Sequence, residues 1–174
     1  MAVGRGSLTT ARLTLRRLTS ADMPALVAAL NDYDVSKWLT VVPYPYTDAD
    51  ARAFLDHIAD APVLTALGIF ADGRFAGVVG AGDGLGYWLA RAEHAKGYMT
   101  EAAAAVTAQH FATTDSPVLT SGYFEGNAAS ARVLDKLGFV PDGQTLVKSR
   151  AQGAEVTLKK VVLTREAWEA RHGH

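Results

Sequence analysis

Residues 85–113 constrain this chain most. Leu85-Gly86-Tyr87-Trp88-Leu89 reads as a strand. A short polar loop follows, and then an Ala-rich run from Thr100 to about Phe111 with the composition of a helix. A strand that passes through a tight loop into a helix start leaves backbone N–H groups unpaired and pointing outward. The helix dipole adds partial positive charge at the same place. The stretch His94-Ala95-Lys96-Gly97-Tyr98-Met99-Thr100-Glu101-Ala102 is therefore read as an anion site, with phosphate its commonest guest. The pattern G-x-x-x-x-G-K-[ST] is absent, so this is not the loop of a nucleotide triphosphatase.

The flanking sequence sets the topology around that turn. Upstream, Leu64 to Ala71 and Arg74 to Ala81 read as strands joined by the hairpin turn Asp72-Gly73. Gly82-Asp83-Gly84 turns the chain again into Leu85–Leu89, completing an antiparallel meander. Downstream, Val118 to Phe124 reads as a strand. Asn127 caps a helix with Ala131, Leu134 and Leu137 on one stripe, and Gly138 ends it. Phe139 and Val140 begin a strand, Val147–Arg150 and Val156–Leu163 form a hairpin, and Thr164 caps a last helix through Trp168. At the other end, Ala11 to Leu18 is a strand and Ser20 the N-cap of a helix with Met23, Leu26, Val27 and Leu30 at helical spacing. Val35, Trp38 and Leu39 suit a short helical turn. Pro43-Tyr44-Pro45-Tyr46 is forced into extended shapes, and Thr47 caps a helix striped by Phe54, Leu55 and Ile58. The fold class expected is α/β (α+β), with a mixed central sheet, an antiparallel meander followed by β-α-β-α-β, and helices on both faces. A right-handed crossover joins the strands before and after the central helix. One domain is expected over residues 8–172, with 1–7 a flexible N-terminus.

Composition enters by exclusion. A chain of 174 residues suits one domain with a real core. A net charge of −1 gives no electrostatic reason for a nucleic-acid partner. The absence of cysteine removes disulfides, a thiol nucleophile and a Cys-ligated zinc site. His57, His94, His110, His172 and His174 have no metal-ligand spacing, so no metal is expected. No apolar run approaches the roughly 20 residues of a membrane span, and the N-terminus lacks an apolar signal core, so a cytoplasmic location is expected.

Four stretches, in order, resemble the GNAT N-acetyltransferases, in particular the RimJ/RimL-type branch that acetylates ribosomal-protein N-termini. They are Arg12-Leu13-Thr14-Leu15-Arg16; Pro43-Tyr44-Pro45-Tyr46-Thr47; Gly86-Tyr87-Trp88-Leu89 through Lys96-Gly97-Tyr98-Met99-Thr100-Glu101-Ala102; and Asn127-Ala128-Ala129-Ser130-Ala131-Arg132-Val133-Leu134-Asp135-Lys136-Leu137-Gly138-Phe139. The last is the most specific. The resemblance implies a single-domain GNAT fold and direct acetyl transfer from acetyl-CoA, as co-substrate, to an amine. The acceptor is either a peptide N-terminus or a small molecule such as an antibiotic. Branch members are often dimers, so a homodimer is a possible assembly.

The resemblance also implies roles. Backbone N–H groups of Ala95, Lys96, Gly97, Tyr98, Met99 and Thr100 hold the cofactor diphosphate, with Lys96 nearby as a point charge. Trp88 and Leu89 flank the cofactor on the preceding strand, and Asn127 reaches its pantetheine arm while capping a helix. Ser130 is the acid that returns a proton to the thiolate, or a helix serine bonding to its own turn. The tyrosine that many family members carry four residues further on is Leu134 here. For the base, Asp83 and Glu125 are candidates beside a water chain, although each also reads as a turn or surface carboxylate. Trp38, Tyr44 and Tyr46 form either a wall of the acceptor pocket or a loop packed on the core. Glu101 is read as dipole compensation. Where the family keeps the first glycine of its pyrophosphate loop, this chain has Ala95. That departure, with Leu134 and the missing strand glutamate, motivates a rival reading as a non-catalytic acetyl-CoA-binding or sensing module. A dinucleotide-binding fold fails because the meander precedes the loop and G-x-G-x-x-G is absent.

Overall fold

The structure is a computed structural model, and it describes residues 2–4 and 6–173. β1 (Ala2–Gly4) and β2 (Ser7–Thr9) form an antiparallel hairpin, and β2 pairs with β3 (Leu13–Arg16). The hairpin adds two strands to the expected order. In β3, Leu13 and Leu15 are buried and Thr14 is exposed, the alternation of a half-buried strand.

Ser20 does not cap the first helix. Thr19 caps a 3₁₀ turn, Ser20–Asp22, and Asp22 closes a capping box back onto it. α1 (Met23–Leu30) continues from that turn, with Pro24 where a missing N–H breaks no helical bond. α2 (Tyr33–Ser36) is a single turn. α3 (Asp48–Ala59) starts at Thr47, which forms a capping box with Asp50. After Pro62 the chain makes a 3₁₀ turn at Val63–Thr65, so the strand expected from Leu64 begins at Leu67.

β4 (Leu67–Ala71), β5 (Arg74–Ala81) and β6 (Leu85–Leu89) form the antiparallel meander. α4 (Tyr98–Thr113) leads to β7 (Val118–Phe124), which lies parallel to β6. α5 (Ala128–Leu137) runs from its cap Asn127 to Gly138. β8 (Val140–Ser149) is one long strand where the sequence suggests two short pieces, and it absorbs a register shift between Pro141 and Gln144. β9 (Ala154–Thr164) returns between β7 and β8, and α6 (Arg165–His172) follows, capped by Thr164. Among the described residues the sheet has nine strands, ordered β1-β2-β3-β4-β5-β6-β7-β9-β8.

Strand alternation sends side chains to two cores. Leu13, Leu15, Leu67, Ile69 and Val79 meet Met99, Ala102, Val106, Leu134 and Trp168, from α4, α5 and α6. Phe70 and Val78 meet Leu26, Leu30 and Ile58, from α1 and α3. The alanines of α4 let that helix approach the sheet closely, with Ala102 and Ala103 fully buried. No helix among the described residues is long and apolar enough to cross a membrane.

Candidate active site

β6 and β7 touch through one register pair, Leu85 with Ser121. Beyond it the strands part, and a cleft of about 1290 Å³ runs between them. Among the described residues, the rest of β6 has no strand partner on that side. The Leu89 carbonyl meets His94 Nε2 at 2.9 Å, and the other main-chain groups on that side are open to an extended ligand, as at any open sheet edge. Trp88 and Leu89 lie on this stretch and line the cleft.

The start of α4 opens on the same cleft. Its N-cap is Gly97, with no side-chain cap, whereas a side-chain oxygen accepts from a backbone N–H at the starts of α3, α5 and α6. The N–H of Glu101 bonds the carbonyl of Gly97. The N–H groups of Tyr98, Met99 and Thr100 precede that bond and have no helical partner. All three residues line the cleft, with Ala95 and Gly97. The helix is 16 residues long, so the full terminal dipole acts there. Gly97 has φ 78°, and a Cβ on it would stand 3.3 Å from Arg12 Nη2. Ala95 has φ 62°. The turn therefore keeps a glycine's backbone shape with an alanine in it, at a cost of roughly 1–2 kcal/mol.

The side chain of Lys96 is not among the groups lining the cleft. Its Nζ binds Glu93 Oε2 at 3.0 Å, and Arg74 Nε approaches the other oxygen at 3.4 Å. Burial pushes the Glu93 carboxyl up, but hydrogen bonds from Lys96 and Arg74 outweigh it and the net shift is downward. The turn is held from outside by Arg12. Its Nη1 donates to the Lys96 carbonyl at 2.8 Å and its Nε to Glu101 Oε2 at 2.7 Å. Glu101 also accepts from the Arg12 N–H at 2.8 Å and from Thr10 Oγ1 at 2.6 Å. It is the fourth residue of α4 and ties the helix to the start of β3, beyond its expected role as a dipole partner. Burial raises its carboxyl, and these donors lower it by more.

α5 brings the second half of the site. Asn127 Oδ1 accepts the Ser130 N–H at 3.2 Å, so the cap forms, and both residues line the cleft. Ser130 Oγ makes no bond to its own helix among the described residues. It lies 2.8 Å from Tyr87 Oη. Burial pushes the Tyr87 phenol up to about 12, with the Ser130 bond opposing. Tyr87 carries no role in the sequence reading. A strand's period of two sets it on the same face as Leu85 and Leu89, and nothing in one sequence says that α5 packs there.

The carboxylates separate. Asp83 lines the cleft from the turn before β6. Glu125 does not line it: its side chain is 63% exposed and pairs with Lys159 Nζ at 3.2 Å. The aromatic segment separates too. Trp38 lines the cleft, with Val35 and Leu39. Tyr46 is buried in the α1/α3 core, drawn in by Asn31 Oδ1, which accepts its N–H at 2.8 Å. Tyr44 is exposed and packs on Tyr33 at 5.3 Å between ring centroids. Neither tyrosine lines the cleft, because the two prolines fix the loop's path while Asn31 sets its depth.

Several residues that the sequence reading passed over hold the Trp38 segment in place. Arg91 binds both oxygens of Asp32 at 2.6 Å and also reaches Asp34, tying the start of α2 to the turn after β6. From the β8–β9 hairpin, the Arg150 N–H donates to the Thr40 carbonyl at 3.0 Å and Gln152 Nε2 to the Lys37 carbonyl at 2.8 Å. Arg132 and Lys136, one helical turn apart on α5, line the cleft without an ion pair among the described residues. No cluster of three or more potential metal-ligating residues occurs among the described residues.

Comparison with known proteins agrees with this geometry. The model of the acetyltransferase (GNAT) domain family matches residues 12–140. No curated protein matches the chain. Among solved structures, an acetyltransferase of the GNAT family from Bacillus anthracis superposes with a TM-score of 0.80 at 19% identity, over 92% of this chain and 99% of that one. The ribosomal-protein alpha-N-acetyltransferase RimL, in complex with coenzyme A, gives 0.77 at 18% identity, over 92% and 98%. The microcin self-immunity acetyltransferase MccE, in complex with acetyl-CoA and AMP, gives 0.75 at 17% identity, over 89% and 93%. At these identities the likeness to solved structures is one of fold. The family model, which spans most of the chain and runs from Arg12 through the cleft turn and α5 to the start of β8, carries the assignment: this chain belongs to the GNAT acetyltransferase family.

Proposed function

We propose that the cleft takes acetyl-CoA and passes its acetyl group to a primary amine by direct attack on the thioester. The observation that carries this reading is the uncapped start of α4, which shares one cleft with the unpaired stretch of β6 and the Asn127–Ser130 start of α5. In this reading the backbone N–H groups of Ala95, Gly97, Tyr98, Met99 and Thr100 receive the diphosphate. Main-chain groups around Trp88 and Leu89 pair with the pantetheine amides. Asn127 orders the first turn of α5 beside them. Trp38, Val35 and Leu39 wall the acceptor's approach.

The amine nitrogen attacks the thioester carbonyl carbon, the C–S bond breaks, and its electron pair goes to sulfur. The Ser130 hydroxyl gives its proton to that sulfur. For the proton leaving the amine, Glu125 is turned to solvent and Asp34 is held by Lys37 and Arg91. Asp83 lines the cleft from the turn before β6, at the opposite end of that strand from Trp88 and Leu89, and we assign this step to water in the cleft.

RimL acts on a protein α-amine and MccE is a self-immunity enzyme, so the acceptor panel must include both peptides and small amines. A free-thiol assay with acetyl-CoA and that panel tests the reading. Thiol release, with the mass of one acetyl group gained by an acceptor, is the expected result. Tight acetyl-CoA binding without thiol release for any acceptor would overturn it in favour of a binding module.

A further inference from the structure

We infer that Tyr87 is a positioning residue for acetyl transfer: by donating its phenolic hydrogen to Ser130 Oγ, it aims the Ser130 hydrogen into the cleft. The inference rests on the acetyltransferase reading above and adds to it a residue from a different strand.

The hydrogen count carries the argument. A tyrosine hydroxyl has one hydrogen to donate, and so has a serine hydroxyl. Tyr87 Oη lies 2.8 Å from Ser130 Oγ and 3.2 Å from the Ser130 carbonyl oxygen. Two arrangements satisfy these distances. In one, Tyr87 donates to the carbonyl and Ser130 donates to Tyr87 Oη. The serine hydrogen then points at the phenol, away from any ligand. In the other, Tyr87 donates to Oγ. The serine hydrogen is then free, and Ser130 lines the cleft with no competing acceptor from its own helix among the described residues. Only the second arrangement makes Ser130 an acid. It is also the shorter of the two contacts open to the phenolic hydrogen. Burial keeps that phenol protonated through the neutral range, so the donor is present at working pH.

In the reaction the Ser130 O–H bond breaks as the S–H bond forms. Negative charge builds on Oγ, and the hydrogen bond from Tyr87 stabilises it as it builds. Water in the cleft then returns a proton to Oγ. Tyr87 keeps its own proton throughout and never touches the acetyl group, which is why its role is orientation and not proton supply.

The test is a double-variant cycle of Tyr87→Phe and Ser130→Ala on the full chain. Tyr87→Phe removes one oxygen and leaves the ring that packs against the core. The expected result is a kcat lowered about tenfold or more in Tyr87→Phe, with the KM for acetyl-CoA unchanged. In the Ser130→Ala background the same change has less than about twofold effect, because nothing remains to aim. A merely structural tyrosine would lower kcat by the same factor in both backgrounds, and that result overturns the inference. So does full activity in Tyr87→Phe. Acetyl-CoA affinity of each variant, measured by calorimetry, separates a lost fold from a lost function. If the wild-type chain releases no thiol with any acceptor, the acetyltransferase reading falls and this inference with it. If the wild type turns over and the cycle shows no coupling, only this inference falls.

Discussion

Arg12 Nη1 donates to the backbone carbonyl of Lys96 at 2.8 Å, across 84 residues of chain. The bond fixes one carbonyl of the anion turn on the outside, and a turn with its carbonyls held outward presents its N–H groups to the cleft. Arg12→Ala should therefore weaken acetyl-CoA binding although Arg12 is not among the residues lining the cleft. The guanidinium is about half exposed, so the lower end of the charge-assisted range applies, about 1.4 kcal/mol or tenfold in Kd. Titration calorimetry reads it, and an unchanged Kd would show that the turn holds its shape without this clamp.

Ala95 at φ 62° sits in backbone space that costs an L-residue energy and costs glycine little. Ala95→Gly should relieve about 1 kcal/mol, partly offset by the freer unfolded chain. For a domain of this size that raises Tm by a few degrees, roughly 2–4 °C at most. A β-branched residue is worse in the same region, so Ala95→Val should lower both Tm and acetyl-CoA affinity. Thermal denaturation of the three proteins checks the order Gly, Ala, Val. Any other order would mean that contacts of the Ala95 methyl outweigh its backbone.

Much of this was legible in the chain because it is local. Thr47, Asn127, Gly138 and Thr164 mark helix ends by short-range chemistry, and each end lies where the sequence puts it. Asp72-Gly73 fixes a hairpin through its positive φ values, 50° and 76°. What was not legible is long-range or lacks a pattern. β8 is exposed along nearly its whole length, so it has no apolar alternation to announce one continuous strand. Tyr87 with Ser130 is 43 residues apart, and Arg91 with Asp32 is 59. Such pairs depend on which faces of which elements meet. The Pro-Tyr-Pro-Tyr segment shows the same limit from the other side. Its extended shape was readable, but the depth of Tyr46 depends on Asn31.

The separation of Trp38 from Tyr46 gives a paired prediction. Tyr46 is 5% exposed and packs between α1 and α3. Tyr46→Ala should destabilise the chain by about 3 kcal/mol, the usual cost of truncating a buried aromatic. Trp38→Ala should cost much less stability, since Trp38 is only half-buried, yet raise the KM of the acceptor severalfold with acetyl-CoA affinity unchanged. Urea denaturation and steady-state kinetics on both variants decide it. If Tyr46→Ala were the variant with the acceptor defect at full stability, the cleft wall would have to be redrawn around the proline segment.

Acid stability should depend on Asp22. Hydrogen bonds from Arg16, at 2.9 and 3.0 Å, lower its carboxyl most; burial opposes them, and the Thr19 N–H at 2.8 Å adds to the lowering. An unfolded aspartate titrates near about 4. The folded value lies below that, so between the two the unfolded chain binds more protons and acid favours unfolding. The contribution is complete above about pH 5 and is lost as pH falls through the folded value. Glu93 and Glu101, also lowered, act in the same direction. Asp22→Asn should cost about 1–2 kcal/mol at neutral pH, the low end for a charged pair because Arg16 is partly exposed. It should also make the acid limb shallower, since one of the titrating groups is gone. Urea midpoints measured from pH 7 down to about pH 3 test both parts. An unchanged slope in Asp22→Asn would move the acid sensitivity to the carboxylates of the cleft turn, Glu93 and Glu101.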